Sequence, residues 1–209
     1  MEATVTDLLS SLQRAGLLPS KVIPSDFTPS FLLNVRFPGA DADTRHGALM
    51  RVSQVQSAPA LSITTSNLSN SGAAPPPTTT TYTLMMIDPD APTPNDPKFA
   101  YWRHWVVAHI PLPVGKDEAE SRVLQLDEDG RVLTQYLAPG PKDESRPHRY
   151  LFLLFAEPEG GRKLEKVDVG GEEFVERRSF RADEFIERHG LRLVAVQWML
   201  GAGDGWREE

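Results

Sequence analysis

No cysteine occurs in the 209 residues. That excludes a disulfide framework, a thiolate zinc site and a cysteine nucleophile. There is also no run of about 18 consecutive apolar residues, so no membrane-spanning helix is expected. The N-terminus lacks the basic start and apolar core of a secretory signal, and the expected compartment is cytoplasmic. Basic residues are in deficit, with 22 Lys and Arg against 29 Asp and Glu and a formal net charge of −7. No basic run exceeds two residues. A nucleic-acid groove or an anionic membrane is therefore not expected as the partner of a whole face, although one local anion pocket remains compatible. A Gly-x-Ser-x-Gly elbow is missing, which leaves a serine hydrolase without its nucleophile turn. Gly170-Gly171 reads as a hinge or turn and does not resemble a phosphate loop.

What is present suits one mainly β domain spanning 1–209. The apolar fraction of 40% supports a core, and 18 Pro and 15 Gly favour turns over long helices. Residues 4–16 read as a helix: Thr4 to Asp7 fits a capping box, and Val5, Leu8, Leu9, Leu12 and Ala15 recur at helical spacing. This N-terminal helix extension occupies 1–19. Strands are expected over 29–37, 49–55, 61–65, 82–87, 102–110, 131–136, 148–155 and 191–199, and a short helical turn over 116–121. The run 148–155 is apolar at both parities, as in a strand covered on both faces. Residues 66–81, rich in Ser, Asn, Thr and Pro, read as a flexible surface insertion. The segment 157–172 reads as a charged loop. Ser179 is expected to cap a C-terminal helix over 180–189 that turns Phe180, Phe185 and Ile186 inward and closes at Gly190. Strands that are not interleaved with helices point to an antiparallel β-sandwich with a large central sheet.

The chemistry concentrates around Asp88-Pro89-Asp90-Ala91-Pro92 and Trp102-Arg103-His104. Proline cannot donate to a ladder, so an apolar strand that ends on Asp-Pro-Asp presents its carboxylates on a stiff corner. Strict alternation puts Trp102, His104, Val106 and Ala108 on one face and Arg103, Trp105, Val107 and His109 on the other. His104 and His109 then cannot share a ligand. Asp88, Trp102, His104, His148 and Tyr150 all lie at the ends of apolar strands, and neighbouring antiparallel strands would bring them to one rim. Donors from His104, His148 and Tyr150 suit an oxyanion, with Trp102 and prolines as walls. Asp88 fits such a site if it shares a proton with the ligand or charges a histidine. Asp90 and Arg149 read as an ion pair behind the pocket, His109 as structural, and His46 and His189 as surface or cap residues. Trp105, Phe152 and Leu154 read as core. The acidic run Asp127 to Gly130 reads as a turn without enough ligands for calcium.

Asp88-Pro89-Asp90-Ala91-Pro92, His104 sixteen positions after Asp88, and Gly140-Pro141 followed by Pro147-His148-Arg149-Tyr150 resemble the phosphatidylethanolamine-binding protein family. Val22-Ile23-Pro24 and Pro29 to Leu33 are similar to its fungal carboxypeptidase Y inhibitor-like branch. The resemblance implies a β-sandwich with a small anion pocket and no catalysis. It implies binding of a phospholipid headgroup or phosphorylated small ligand, no cofactor and no metal, and regulation of a serine protease or protein kinase, with the N-terminal helix as a candidate contact. Carried over by position, the pocket is Asp88, Pro92, Trp102, His104, Pro141, His148 and Tyr150. Arg146 stands where relatives often have glycine, and would either add a cation to the mouth or block it. The family's C-terminal pocket aromatic has no clean counterpart, Trp198 and Trp206 being candidates. The rival from another class is a metal-dependent hydrolase with Asp88, His104 and His148 as ligands and Asp90 as base.

Overall fold

The structure is a computed structural model, and it describes residues 4–40, 44–64, 81–112, 121–124, 126 and 131–208. The expected insertion over 66–81, the helical turn over 116–121 and the acidic turn over 127–130 lie outside these, except for Ser121 and for Thr81, which opens a strand.

Helix α1 (Val5–Arg14) starts at Thr4, whose hydroxyl accepts from the Asp7 N–H while the Asp7 carboxylate accepts from the Thr4 N–H. That is the reciprocal cap its sequence predicts. Its spacing buries Val5, Leu8 and Leu12 on one side. Nine strands follow among the described residues: β1 (Leu32–Arg36), β2 (Ala48–Arg51), β3 (Ala60–Thr64), β4 (Thr81–Asp88), β5 (Trp102–Pro111), β6 (Arg122–Val123), β7 (Arg131–Thr134), β8 (His148–Ala156) and β9 (Arg192–Ala202). They form a three-stranded sheet, β1-β3-β6, and a six-stranded sheet, β2-β9-β8-β4-β5-β7. Interior strands β4 and β8 are buried on both faces, which explains their unbroken apolar runs. One core cluster joins α1 to Met85, Ile87, Leu151, Leu153 and Trp198; a second joins Leu33, Val35, Leu61 and Ile63 of the small sheet to Leu84, Met86, Phe152 and Leu154 of the large one. No helix among the described residues is long and apolar enough to cross a membrane.

Four features correct the sequence expectation. The large sheet is mixed, because β2 runs parallel to β9 with Ala48 opposite Met199. Two single-turn helices, α2 (Lys166–Val169) and α3 (Phe174–Arg177), interrupt the charged C-terminal region. One turn is too short to display an apolar period. Helix α4 (Ala182–Arg188) begins two residues after Phe180, with Arg181 at its N-cap; Ser179 does not cap it but sits at φ +55 and donates its N–H to the Phe99 carbonyl at 2.9 Å.

The fourth correction matters most for the site. Met86 opposes Trp105 and Ile87 opposes Arg103, so His104 is the extra residue of a β-bulge. Alternation is therefore reset at this point. Val106 and Ala108 pack in the first cluster with Met85 and Ile87, whereas Trp105 and Val107 pack in the second. Trp102 and His104 do not share the face of Val106 and Ala108. Another register shift lies near His109, which adopts φ +58 with its N–H and Nδ1 both donating to Glu157 at 2.8 Å.

Candidate functional site

The Asp-Pro corner ends β4, the bulge lies near the start of β5, and His148 and Tyr150 open β8. Because β4 is antiparallel to both β5 and β8, these three points meet at one end of the sheet. There a cavity of about 560 Å³ opens. Asp88, Pro92, Trp102, His104, Pro141, His148 and Tyr150 all line it, so the structure brings together the seven residues carried over as the pocket. Leu137, Lys142, Ser145 and Phe174 complete much of the wall.

Its buried acid, Asp88, is engaged within the wall. Asp88 and His148 are 3% and 4% exposed, and His148 Nδ1–H donates to Asp88 Oδ2 at 2.8 Å. The other Asp88 oxygen accepts the Asp90 N–H at 2.6 Å. His148 Nε2 lies 3.1 Å from Ser145 Oγ, which is 2.9 Å from the Arg146 carbonyl. The Ser145 hydroxyl thus bridges the ring and the Arg146 carbonyl, and Asp88 has both oxygens engaged by hydrogen bonds inside the wall.

His104 Nδ1–H donates to the Leu137 carbonyl at 2.7 Å, fixing the ring and leaving Nε2 without a partner among the described residues. Burial pushes its pKa below the ordinary 6.5, opposed by the Asp88 charge, so the ring is neutral and Nε2 is an acceptor. The Tyr150 hydroxyl also has no partner among the described residues. Burial, then the Asp88 and Asp90 charges, hold its pKa well above the usual value, so it keeps its proton as a donor. The His104 and Tyr150 rings meet edge to face at 5.2 Å.

Behind the cavity, Arg149 grips Asp90 with Nε (2.9 Å), Nη2 (2.6 Å) and its backbone N–H (2.7 Å), and its Nη1 donates to Ala15 at the end of α1 (2.7 Å). Arg177 Nη1 donates to the His104 (3.1 Å) and Gln135 (2.9 Å) carbonyls, bracing the bulge from outside.

Some expectations need correction. Trp198 is buried in the first cluster with Nε1 donating to Ser11 (3.0 Å), and Trp206 lies under Arg51; neither lines the cavity. The aromatic at the rim is Phe174, whose ring meets Trp102 at 4.7 Å. Phe174 is 68% exposed in a charged segment, so no apolar period marks it in the sequence. Arg146 is exposed and outside the lining, and Lys142 is the basic residue at the mouth. The metal-hydrolase rival finds no support in the geometry. Asp90, its base, is held by Arg149, and no group of three His, Cys, Asp or Glu able to hold a metal occurs among the described residues.

Comparison with known proteins agrees with this architecture. The carboxypeptidase Y inhibitor of Saccharomyces cerevisiae is 26% identical over 163 residues, covering 73% of this chain and 74% of that protein. The uncharacterized protein YLR179C of the same yeast is 30% identical over 198 residues, covering 92% of each. The fold matches that of a carboxypeptidase Y inhibitor crystallised with its cognate proteinase, with a TM-score of 0.77 at 22% identity over 96% of this chain and 97% of that one. It also matches a phosphatidylethanolamine-binding protein from Plasmodium vivax, with a TM-score of 0.65 at 17% identity over 97% and 98%. A family model described as phosphatidylethanolamine-binding protein matches residues 28–198, from the loop before β1 to the middle of β9 and across the whole cavity, and the chain belongs to that family.

Proposed function

We propose that this protein is a non-catalytic regulator whose cavity holds a phosphate-bearing group on an apolar body, and that its protein partner is a serine carboxypeptidase. One observation carries the ligand reading. His104 Nε2 and the Tyr150 hydroxyl are polar atoms of buried residues in this cavity with no hydrogen bond to a described residue, while its buried carboxylate, Asp88, is already engaged by His148 and the Asp90 N–H. A phosphate presenting one proton to Nε2 and accepting from Tyr150 satisfies both. The cavity is larger than a phosphate needs, and Pro92, Trp102, Leu137, Pro141 and Phe174 offer apolar contact to whatever carries it. The named inhibitor among its relatives supports the partner; a kinase has no such observation behind it. The second core cluster draws on both sheets, which supports reading them as a sandwich.

Phenyl phosphate tests the ligand reading, since it joins the anion to an aromatic body. It should raise the melting temperature, and Tyr150→Phe and His104→Ala should each remove most of the shift. In parallel, the protein should inhibit carboxypeptidase Y hydrolysis of a peptide substrate. A thermal shift as large in both variants as in the parent overturns the assigned site, and absence of inhibition at micromolar protein overturns the partner.

A further inference from the structure

A second cavity, of about 300 Å³, lies on the other side of β5. Its floor is Arg103, which alternation points away from its neighbours Trp102 and His104. Arg103 is 1% exposed. Its Nε donates to Thr134 Oγ1 at 2.9 Å, its Nη2 donates to the Gly171 carbonyl, and the guanidinium lies 5.0 Å from the centre of the Phe180 ring. These contacts suffice for a structural arginine joining β5, β7 and the α2–α3 connection. They leave Nη1 unexplained. That nitrogen has no hydrogen bond to a described residue, and it lies beside Gly170 in the cavity wall, where the first carbon of any side chain would stand 3.9 Å from it.

Four arginines line this cavity, Arg103, Arg178, Arg181 and Arg188, against Asp168, Glu176 and Glu184. All three carboxylates are engaged. Asp168 pairs with Arg162 and accepts the Glu165 N–H, Glu184 pairs with Arg181, and Glu176 accepts the Glu173 N–H at 3.0 Å. The cations are less committed. Arg178 and Arg188 have no ion pair among the described residues, and Arg178 lies 4.9 Å from the centre of the Phe99 ring. The surplus at this spot is positive on a chain of net charge −7.

We propose that this cavity is a second oxyanion site, taking a phosphate group on the free edge of Arg103 with Arg178 and Arg188 at its mouth. The free N–H of this guanidinium opens on the cavity, and an oxyanion there gains a charge-assisted bond. Burial, and next the nearby Arg177 charge, lower the Arg103 pKa to about 10, which still leaves the group protonated at neutral pH. The site is independent of the first cavity, with no lining residue in common. Free phosphate and a phosphate carried on a serine side chain share this chemistry.

Isothermal titration with inorganic phosphate and with a short phosphoserine peptide tests the site. His104→Ala removes the first cavity from the measurement without touching the second. One equivalent of either probe should still bind to that variant. Adding Arg178→Gln and Arg188→Gln, which leaves the buried Arg103 contacts intact, should weaken the remaining binding about tenfold or more. Arg103→Gln in the same background should abolish it, with circular dichroism to verify folding. If neither probe binds His104→Ala, or if its binding is indifferent to the rim substitutions, the second site does not exist. Neither result bears on whether phenyl phosphate occupies the first cavity.

Discussion

His104 has one nitrogen spent on a carbonyl and the other without a hydrogen bond to a described residue. Its depressed pKa has two consequences of definite sign. In the free protein the folded state prefers the neutral ring, so between the depressed folded value and the ordinary 6.5 the unfolded chain binds more protons. Stability contributed by this residue is complete above that window and is lost as pH falls through it. Ligand binding runs the other way. A phosphate monoester is largely dianionic above pH 6, so the proton it shares with Nε2 is taken up on binding, and phenyl phosphate affinity should increase as pH is lowered from 8 towards 6. Titration in buffers of different ionisation enthalpy should report that proton, and His104→Asn should flatten the dependence. Affinity independent of pH in the parent protein would mean that no proton accompanies the ligand and that His104 Nε2 is not its partner. At this scale the site was legible because its polar residues stand at ends of apolar strands beside prolines, an arrangement written in Asp88-Pro89-Asp90 and Pro147-His148. Phe174 was not, since an exposed aromatic among glutamates looks like any surface residue.

Among the elements, the single turn of α3 stands between the two cavities. Phe174 contributes to the wall of the first, Glu176 lines the second, and Arg177 ties the turn to the carbonyls of His104 and Gln135. Phe174 is 68% exposed, so Phe174→Ala should change stability by no more than about 0.5 kcal/mol. Losing its aromatic contact should nevertheless weaken phenyl phosphate binding roughly three- to tenfold. Inorganic phosphate has no body to rest on Phe174, and its affinity should stay the same; equal losses for both probes would mean that the turn shapes the anion contacts themselves. Strands β4, β5 and β8 could be placed from their apolar runs because burial on both faces leaves little room for polar residues. The bulge at His104 could not. One inserted residue leaves no composition signal, yet it sets Trp102 and His104 on the other face from Val106 and Ala108. Periodicity reports which residues are buried, but the partner strand's register determines which face they occupy.

Across the whole molecule, the question is whether α1 is an appendage or part of the framework. Its capping box and amphipathic spacing suggest a helix able to stand apart and contact a partner. In the structure Leu8 and Leu12 are fully buried, Ser11 accepts from Trp198 of β9, and the Ala15 carbonyl accepts from Arg149. Arg149 in turn holds Asp90, whose N–H fixes Asp88. A continuous chain of bonds therefore runs from the end of the helix to the acid of the first cavity. Leu12→Ala alone should cost about 3 kcal/mol, which for a chain of this size lowers the melting temperature by roughly 9 °C. Deleting residues 1–15 removes the buried side chains of Val5, Leu8, Ser11 and Leu12, frees Trp198 Nε1 and leaves Arg149 Nη1 without its acceptor. It should lower the melting temperature by considerably more and weaken phenyl phosphate binding at temperatures where the truncated protein is still folded. Arg149→Met, which cuts the link but keeps the helix, should weaken binding with a smaller thermal loss. Truncation that lowers the melting temperature but leaves affinity intact would mean that the bonds from Ala15 to Asp88 serve stability alone.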